Sequence, residues 1–433
     1  MPRASSGQAS ALILACLAGL PAQAQVAPVD EVALEPNQQS DVSPIEIEAE
    51  RRVNFFADTK FVIKPRMYYL DRDRDVNQDN VGVAAGGALQ YLSGWGFDRL
   101  QLRATLYTSQ VVHGPSDKDG TLLFLPGPEG FTVLGEANAV IRITENDVIR
   151  AGRQLFELPY LGSHDIRMVP NTFEAIAIGN ASPTGLAYVL GYVDQIKRKN
   201  DDDFVPMSEA AGVANGDDGV YMAGARYVFA SGTEVAAIGQ RTLDVFDTYF
   251  AKVEHRFALA EDRSLKAFLQ YTDQRSIGDN LIGAFETNLL SAKVEYSWRK
   301  ATLRVGASSA GNERGIQKPY GNPANYLSVI VEDFDRAGED AWMVGGNYSF
   351  GRRGPGELDV FANIVSGDTP DTGQTASPDE TEYDLTADYR IKEGPARNLW
   401  VRLRAAFIDQ DEAVNGDDFF DFRIIVNWDF SAP

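Results

Sequence analysis

Leu100-Gln101-Leu102-Arg103-Ala104-Thr105-Leu106-Tyr107 alternates strictly: Leu100, Leu102, Ala104 and Leu106 share one side, and Gln101, Arg103, Thr105 and Tyr107 share the other. In an extended chain successive side chains point to opposite faces, so this stretch reads as a strand with one apolar and one polar surface. The period of two returns at Leu399 to Phe407, where Leu399, Val401, Leu403, Ala405 and Phe407 oppose Arg402 and Arg404. Near the C-terminus Phe422, Ile424, Val426, Trp428 and Phe430 oppose Arg423, Asn427 and Asp429. No segment sustains a helical period.

Soluble sandwiches also alternate, so the connections must decide. Strands are expected at 55–70, 81–92, 97–109, 131–144, 146–156, 172–179, 184–198, 218–230, 232–243, 246–259, 263–275, 284–299, 300–310, 341–351, 356–367, 381–391, 397–409 and 419–430. That is eighteen, an even number as bacterial barrels require. Long linkers (71–80, 111–130, 157–171, 200–217, 311–340, 367–380, 409–418) alternate with short ones (93–96, 144–146, 182–185, 231–232, 299–300, 351–356). Only the connection near Phe246 breaks the pattern, being short where a long one is due. The polar face carries too many charges to fill a dry core, so it must line water while the apolar face meets lipid. The expected fold is all-β, a transmembrane antiparallel β-barrel of 18 strands. Strands of about ten residues tilted near 45° suit its ~25 Å apolar band. Tyr68, Tyr69, Trp298, Trp342, Tyr348, Trp400 and Trp428 fall near strand ends, where interfacial girdles are expected; His255 sits on the lipid-facing parity without explanation.

Composition agrees with export. The 433 residues carry 62 acidic and 40 basic side chains, a net charge of −22, which disfavours a nucleic-acid partner held through phosphates. Charged residues are 24%, and 23 Phe, 17 Tyr and 5 Trp are too much ring surface for a disordered chain. Residues 1–24 read as a signal peptide: Arg3, the apolar run Ala11 to Leu20, then Ala22-Gln23-Ala24 before the cleavage point. Cys16 is the only cysteine and leaves with it, so no disulfide, thiol or cysteine metal chemistry is expected. Residues 25–50 are acidic and free of aromatics and read as a flexible periplasmic leader, with the barrel occupying 51–433. Nucleotide and metalloprotease signatures are absent, and His113, His164 and His255 are dispersed. No cofactor, metal or catalytic residue is expected.

Gly152-Arg153-Gln154-Leu155-Phe156-Glu157-Leu158-Pro159, followed by His164-Asp165-Ile166-Arg167-Met168-Val169-Pro170-Asn171-Thr172-Phe173-Glu174-Ala175, resembles the OprD family of substrate-selective outer-membrane porins. The stretch from Val365-Ser366-Gly367-Asp368 through Glu382, Arg390 and Leu399 to Arg404 and the final strand is similar to that family too. The resemblance implies an eighteen-stranded barrel in the bacterial outer membrane, a third external loop folded into the lumen, and diffusion of small carboxylates such as amino acids or organic acids along a row of arginines. It also implies outer-membrane lipid, lipopolysaccharide and the barrel-assembly machinery as partners, with the barrel a monomer or a trimer. The chain departs from the family at Phe430-Ser431-Ala432-Pro433, which runs past the usual closing aromatic, and in its external loops.

Parity places Lys64, Arg66, Arg99, Arg103, Arg142, Arg150, Arg304, Arg390, Arg402, Arg404 and Arg423 on the lumen side. Solvated wall residues paired with Glu136, Glu295, Glu382, Asp384 and Asp388 are the plain account of any one of them. As a set, Arg66, Arg99, Arg103, Arg390, Arg402, Arg404 and Arg423 are the expected substrate track, because closure makes the last two strands neighbours of the first and a guanidinium fork fits a carboxylate. The constriction is expected at the loop with Tyr160, Asp165 and Arg167 supplying donors and acceptors to a passing solute. Runs such as Asp201-Asp202-Asp203 make the external loops acidic; solvated surface explains them, with divalent-cation bridging to lipid headgroups or attraction of cationic solutes to the mouth the functional alternatives. Two other functions remain open on the residues alone: an alginate-type exporter of acidic polysaccharide, and a barrel enzyme or secreted binding protein.

Overall fold

A computed structural model describes residues 54–431; the expected signal peptide and leader lie outside these residues. Eighteen long strands form one closed antiparallel barrel. The first nine are β1 (Lys60–Arg74), β2 (Asn80–Leu92), β3 (Leu100–His113), β4 (Phe131–Arg142), β5 (Asp147–Gln154), β6 (Thr172–Asn180), β7 (Gly185–Lys197), β8 (Val220–Val228) and β9 (Thr233–Thr242). They are followed by β10 (Phe246–Ala260), β11 (Arg263–Ser276), β12 (Glu286–Trp298), β13 (Ala301–Ala310), β14 (Asp340–Arg353), β15 (Gly356–Asp368), β16 (Glu380–Ile391), β17 (Leu399–Gln410) and β18 (Phe419–Trp428). Each pairs with its sequence neighbours, and β18 closes on β1 from Arg66↔Asn427 to Arg74↔Phe419. Phe430 and Ser431 prolong that seam against Ile63 and Val62, so the chain beyond the last long strand still pairs. Closure satisfies every strand edge, which a bilayer demands.

The face pattern is inside-out relative to a soluble protein. Leu303, Val305, Ile176, Leu186 and Leu385 are more than half exposed, whereas Arg402, Arg404, Arg423 and Lys293 are buried on the lumen side. Such an apolar exterior is stable only against lipid. The connection at Phe246 is indeed short, only residues 243–245 between β9 and β10, and the strand count stands. Tight turns use the backbone that glycine tolerates: Gly232 closes the β8–β9 hairpin at φ +79°. Inside the sheet, Gly152 at φ +110° would put a Cβ 2.3 Å from the Ala137 carbonyl, so β4 and β5 approach closely only because no side chain is there.

Three expectations need correction. The first strand runs on to Arg74 rather than ending at residue 70, because Tyr68, Leu70, Arg72 and Arg74 continue the inward parity. Tyr68 and Trp400 belong to no girdle: both occupy inward positions, Tyr68 with its hydroxyl on the Ile166 carbonyl and Trp400 beneath the guanidiniums of Arg390 and Arg402. The lumen face is also not uniformly polar. Val189, Val193, Val220, Met222, Ile238 and Phe250 point inward and are buried, because in-folded loops exclude water from that part of the wall. His255 does lie on the lipid side, close to the β8–β9 turn, where its Nδ1 is 2.7 Å from Thr233 Oγ1 and its ring meets Phe257 edge-on.

Apart from the three-residue connection 243–245, which lies among the long loops, the short turns gather at one end and the long loops at the other, as an outer-membrane barrel requires if the long-loop end faces outward. An epitope inserted at Thr375, in the loop between β15 and β16, should therefore be labelled on intact cells. Labelling confined to permeabilised cells would invert this orientation.

Candidate functional site

The loop between β5 and β6 crosses the lumen. Its centre is a tight hairpin, Glu157–Leu158 paired with Leu161–Gly162, turned by Pro159 and by Tyr160 at φ +58°. One end is driven into the wall of β9 to β11. Tyr160 is buried; its hydroxyl donates to the Ala324 carbonyl at 3.1 Å and lies 2.9 Å from Thr272 Oγ1, while Gln240 Nε2 donates to the Pro159 carbonyl at 2.7 Å. The hairpin is tied as well to the loop between β13 and β14, Tyr160 N to the Asn322 carbonyl and Gly162 N to the Tyr320 carbonyl.

The other end reaches β1. Arg66 Nη1 and Nη2 grip the two Asp165 oxygens at 2.5 and 2.9 Å, Nη1 also donates to the Arg167 carbonyl at 2.7 Å, and Nε donates to Asn427 at 2.7 Å. Arg167 is buried, with Nε on the Thr121 carbonyl at 2.9 Å; burial pulls its guanidinium down to about 10. Beside it, Lys199 Nζ stands 3.1 Å from His164 Nδ1, and burial lowers both groups, His164 to about 3 and Lys199 to about 7. Of the three loop residues expected to meet a solute, only Asp165, 41% exposed, can do so as placed. Tyr160 and Arg167 are anchors: both are buried, Tyr160 bonded to the wall and the β13–β14 loop, and Arg167 to the Thr121 and Ile166 carbonyls.

The expected track can be placed by register. On the lumen face of the closing strands the rows read Thr386, Arg404, Arg423, Leu70; then Asp388, Arg402, Ile425, Tyr68; then Arg390, Trp400, Asn427, Arg66. Arg66, Arg390, Arg402, Arg404 and Arg423 thus form one column. The sequence reading missed Arg72 and Arg74, which continue the column upward; the alternating signs of Asp71-Arg72-Asp73-Arg74 were the signal available for them. Arg103 lies apart on β3, toward the short-turn end, with Nε on Gln101 at 2.8 Å. Arg99 is exposed in the turn before β3, so its place gives no support to a lining role.

Acids are interleaved with the column. Arg402 holds Asp388 through two 2.6 Å bonds, Arg423 and Arg72 share Asp421, and Arg74 holds Asp417 at 2.9 Å. The lining also includes a segment that the sequence reading left outside. The loop between β13 and β14 folds into the barrel, burying Tyr326, Leu327, Val329 and Phe334, and Glu382 on the wall accepts its Val331 and Glu332 amides at 2.9 and 2.8 Å. Its apolar run Tyr326-Leu327-Ser328-Val329-Ile330-Val331, improbable for a solvated loop, was the overlooked sign.

Comparison with known proteins shows what kind of barrel this is. Residues 53–432 match the family model described as outer membrane porin, OprD family. The chain belongs to the OprD family. This OprD-family chain is 20% identical over 413 residues to Porin D of Pseudomonas aeruginosa, covering 87% of this chain and 92% of that one. The crystal structure of Pseudomonas aeruginosa OpdK with vanillate is similar at 23% identity and TM-score 0.76, and that of Pseudomonas aeruginosa OccK9 (OpdG) at 22% and 0.79. Each solved chain is covered completely, with 88% of this one. The chain is accordingly an outer-membrane porin, a transport channel.

Proposed function

We propose that this OprD-family channel passes small carboxylates along the column Arg72, Arg423, Arg404, Arg402, Arg390 and Arg66, past the crossbar at Asp165. The observation that carries the reading is the register of β16, β17, β18 and β1, which stacks these guanidiniums on one strip of wall. Their acid partners support it. Arg66 and Arg390, 20% and 39% exposed, can meet the solute directly, whereas the buried Arg402, Arg404 and Arg423 act on it through their charge, tempered by Asp388 and Asp421, so each site is weak and the solute moves on. Vanillate, present in the OpdK structure, is a carboxylate, which makes aromatic acids a sensible part of any solute panel. Export of an acidic polysaccharide is less well supported, since the crossbar is pinned at both ends across the path a polymer would thread.

Replacing Arg402 and Arg404 together by glutamine should reduce carboxylate flux in liposomes and move the reversal potential in planar bilayers toward cation preference, because two positive charges are lost and Asp388 is left with the more distant Arg390, at 3.9 Å. Barrel yield should be unchanged. Selectivity equal to wild type would make these arginines solvated wall residues and remove the carboxylate reading.

A further inference from the structure

The outer wall has a hollow beside the long-loop end. Leu190, Tyr221, Ala223, Gly239, Arg241 and Tyr249 surround a depression of about 330 Å³ across β7 to β10. Strand register explains it. Outward rows read Leu190, Ala223, Gly239, Tyr249 and, one step nearer the short-turn end, Tyr188, Ala225, Ala237, Ala251, Tyr271. Four alanines and a glycine on three adjacent strands therefore make a floor, and tyrosines and Leu190 stand up around it. Toward the short-turn end the hollow runs into the apolar belt already assigned to lipid, so what fills it comes from the membrane.

The head of the hollow is charged. Arg241, one residue from the end of β9, is half exposed and grips Asp247 through Nε and Nη2 at 2.7 and 2.6 Å, which leaves the Nη1 edge turned away from that carboxylate. Tyr249 donates to the same Asp247 at 3.0 Å, and Arg275 with Asp273 follows along the rim. An apolar seat for one chain, capped by a guanidinium at headgroup depth, matches an acyl chain joined to a phosphate. A second copy of this barrel fits worse, since a two-fold contact would set hollow against hollow.

We propose that the hollow seats lipid A of lipopolysaccharide in the outer leaflet, one acyl chain over Ala223, Gly239, Ala237 and Ala251 and a phosphate on Arg241. The placement rests on the long-loop end facing outward, which the Thr375 epitope tests separately. The seat can be filled without strain: a Cβ on Gly239 would stand 3.4 Å from the Tyr249 ring, an ordinary contact.

The full barrel, extracted from outer membranes in mild detergent, should retain lipid A in native mass spectrometry. Ala223→Leu with Gly239→Leu should lower that occupancy about tenfold, the loss expected when two or so methylenes lose their seat. Arg241→Gln should abolish the preference for lipid A over phosphatidylglycerol in competition. Heat-modifiable mobility and unchanged conductance confirm an assembled barrel; if the double variant assembles poorly, Ala237→Leu alone must lower occupancy in the same direction. Wild-type occupancy in the filled variants would overturn the proposal. So would a wild-type dimer that the filled variants break, because the hollow would then be a protein interface.

Discussion

Replacing Trp428 and Phe430 together by asparagine should leave unassembled, protease-sensitive chain in the periplasm and almost no heat-modifiable barrel. The two rings lie on the lipid side of the seam, with centroids 4.1 Å apart, and Trp428 Nε1 donates to the Arg397 carbonyl at 3.0 Å. Phe430 stands directly opposite Ile63 on β1. Burying such a ring removes roughly 150 to 250 Å² from water, roughly 4 to 6 kcal/mol each as an upper bound. The polar replacements lose that term and set amides against hydrocarbon. The cost falls on the one step that eliminates both sheet edges, where an unpaired strand has no alternative partner within lipid. Asn427→Ala serves as the control: it is in the same strand but faces the lumen, where its carbonyl only receives Arg66 Nε, and it should assemble normally. Normal assembly of the double variant, with protease resistance retained, would show that closure does not depend on these rings.

The barrel was legible because its two faces meet different solvents. At Leu399 to Phe407 the lipid selects one parity and the water-filled lumen the other, so a period of two survives and the strand can be read with its orientation. The reading failed where that contrast disappears. In β7, Leu186, Tyr188 and Leu190 face lipid while Ala187, Val189 and Val193 point inward and are buried, the two valines in the cluster that holds the hairpin, so both parities are apolar and nothing in the strand alone tells inside from outside. The crossbar's two ends were visible as residues but not as roles. Tyr160 is a tyrosine in a loop whichever way it points, and only the distant partners Thr272 and Ala324, more than a hundred residues along the chain, make it an anchor. The arginine column was partly visible, since closure of an even-stranded barrel makes its last and first strands neighbours. Arg72 and Arg74 were lost to a boundary placed four residues early, where Asp71 and Asp73 made a strand look like an acidic loop.

The crossbar's two anchors differ in chemistry, and breaking them one at a time should give different channels. Tyr160→Ala removes a fully buried ring packed edge-on against Phe250 together with two hydrogen bonds, a loss of about 3 to 5 kcal/mol by analogy with other buried aromatics. That is enough to release the hairpin from the β9–β11 wall while the eighteen strands stay closed, since no strand pairing depends on it. Single-channel conductance should rise and become noisy, with the ion preference little changed because no charge has moved. Asp165→Asn acts at the opposite end. It takes a negative charge from the lumen and frees Arg66 from a bidentate partner, while Asn427 on β18 keeps Arg66 in position and the Arg66 bond to the Arg167 carbonyl still holds the loop. Conductance should stay near wild type, the reversal potential should move toward anions, and added carboxylates should block current at lower concentration. The two outcomes separate obstruction from electrostatics. If both variants widen the pore equally, Asp165 is only a second pin; if neither alters conductance or selectivity, the hairpin is not the narrowest part of the path.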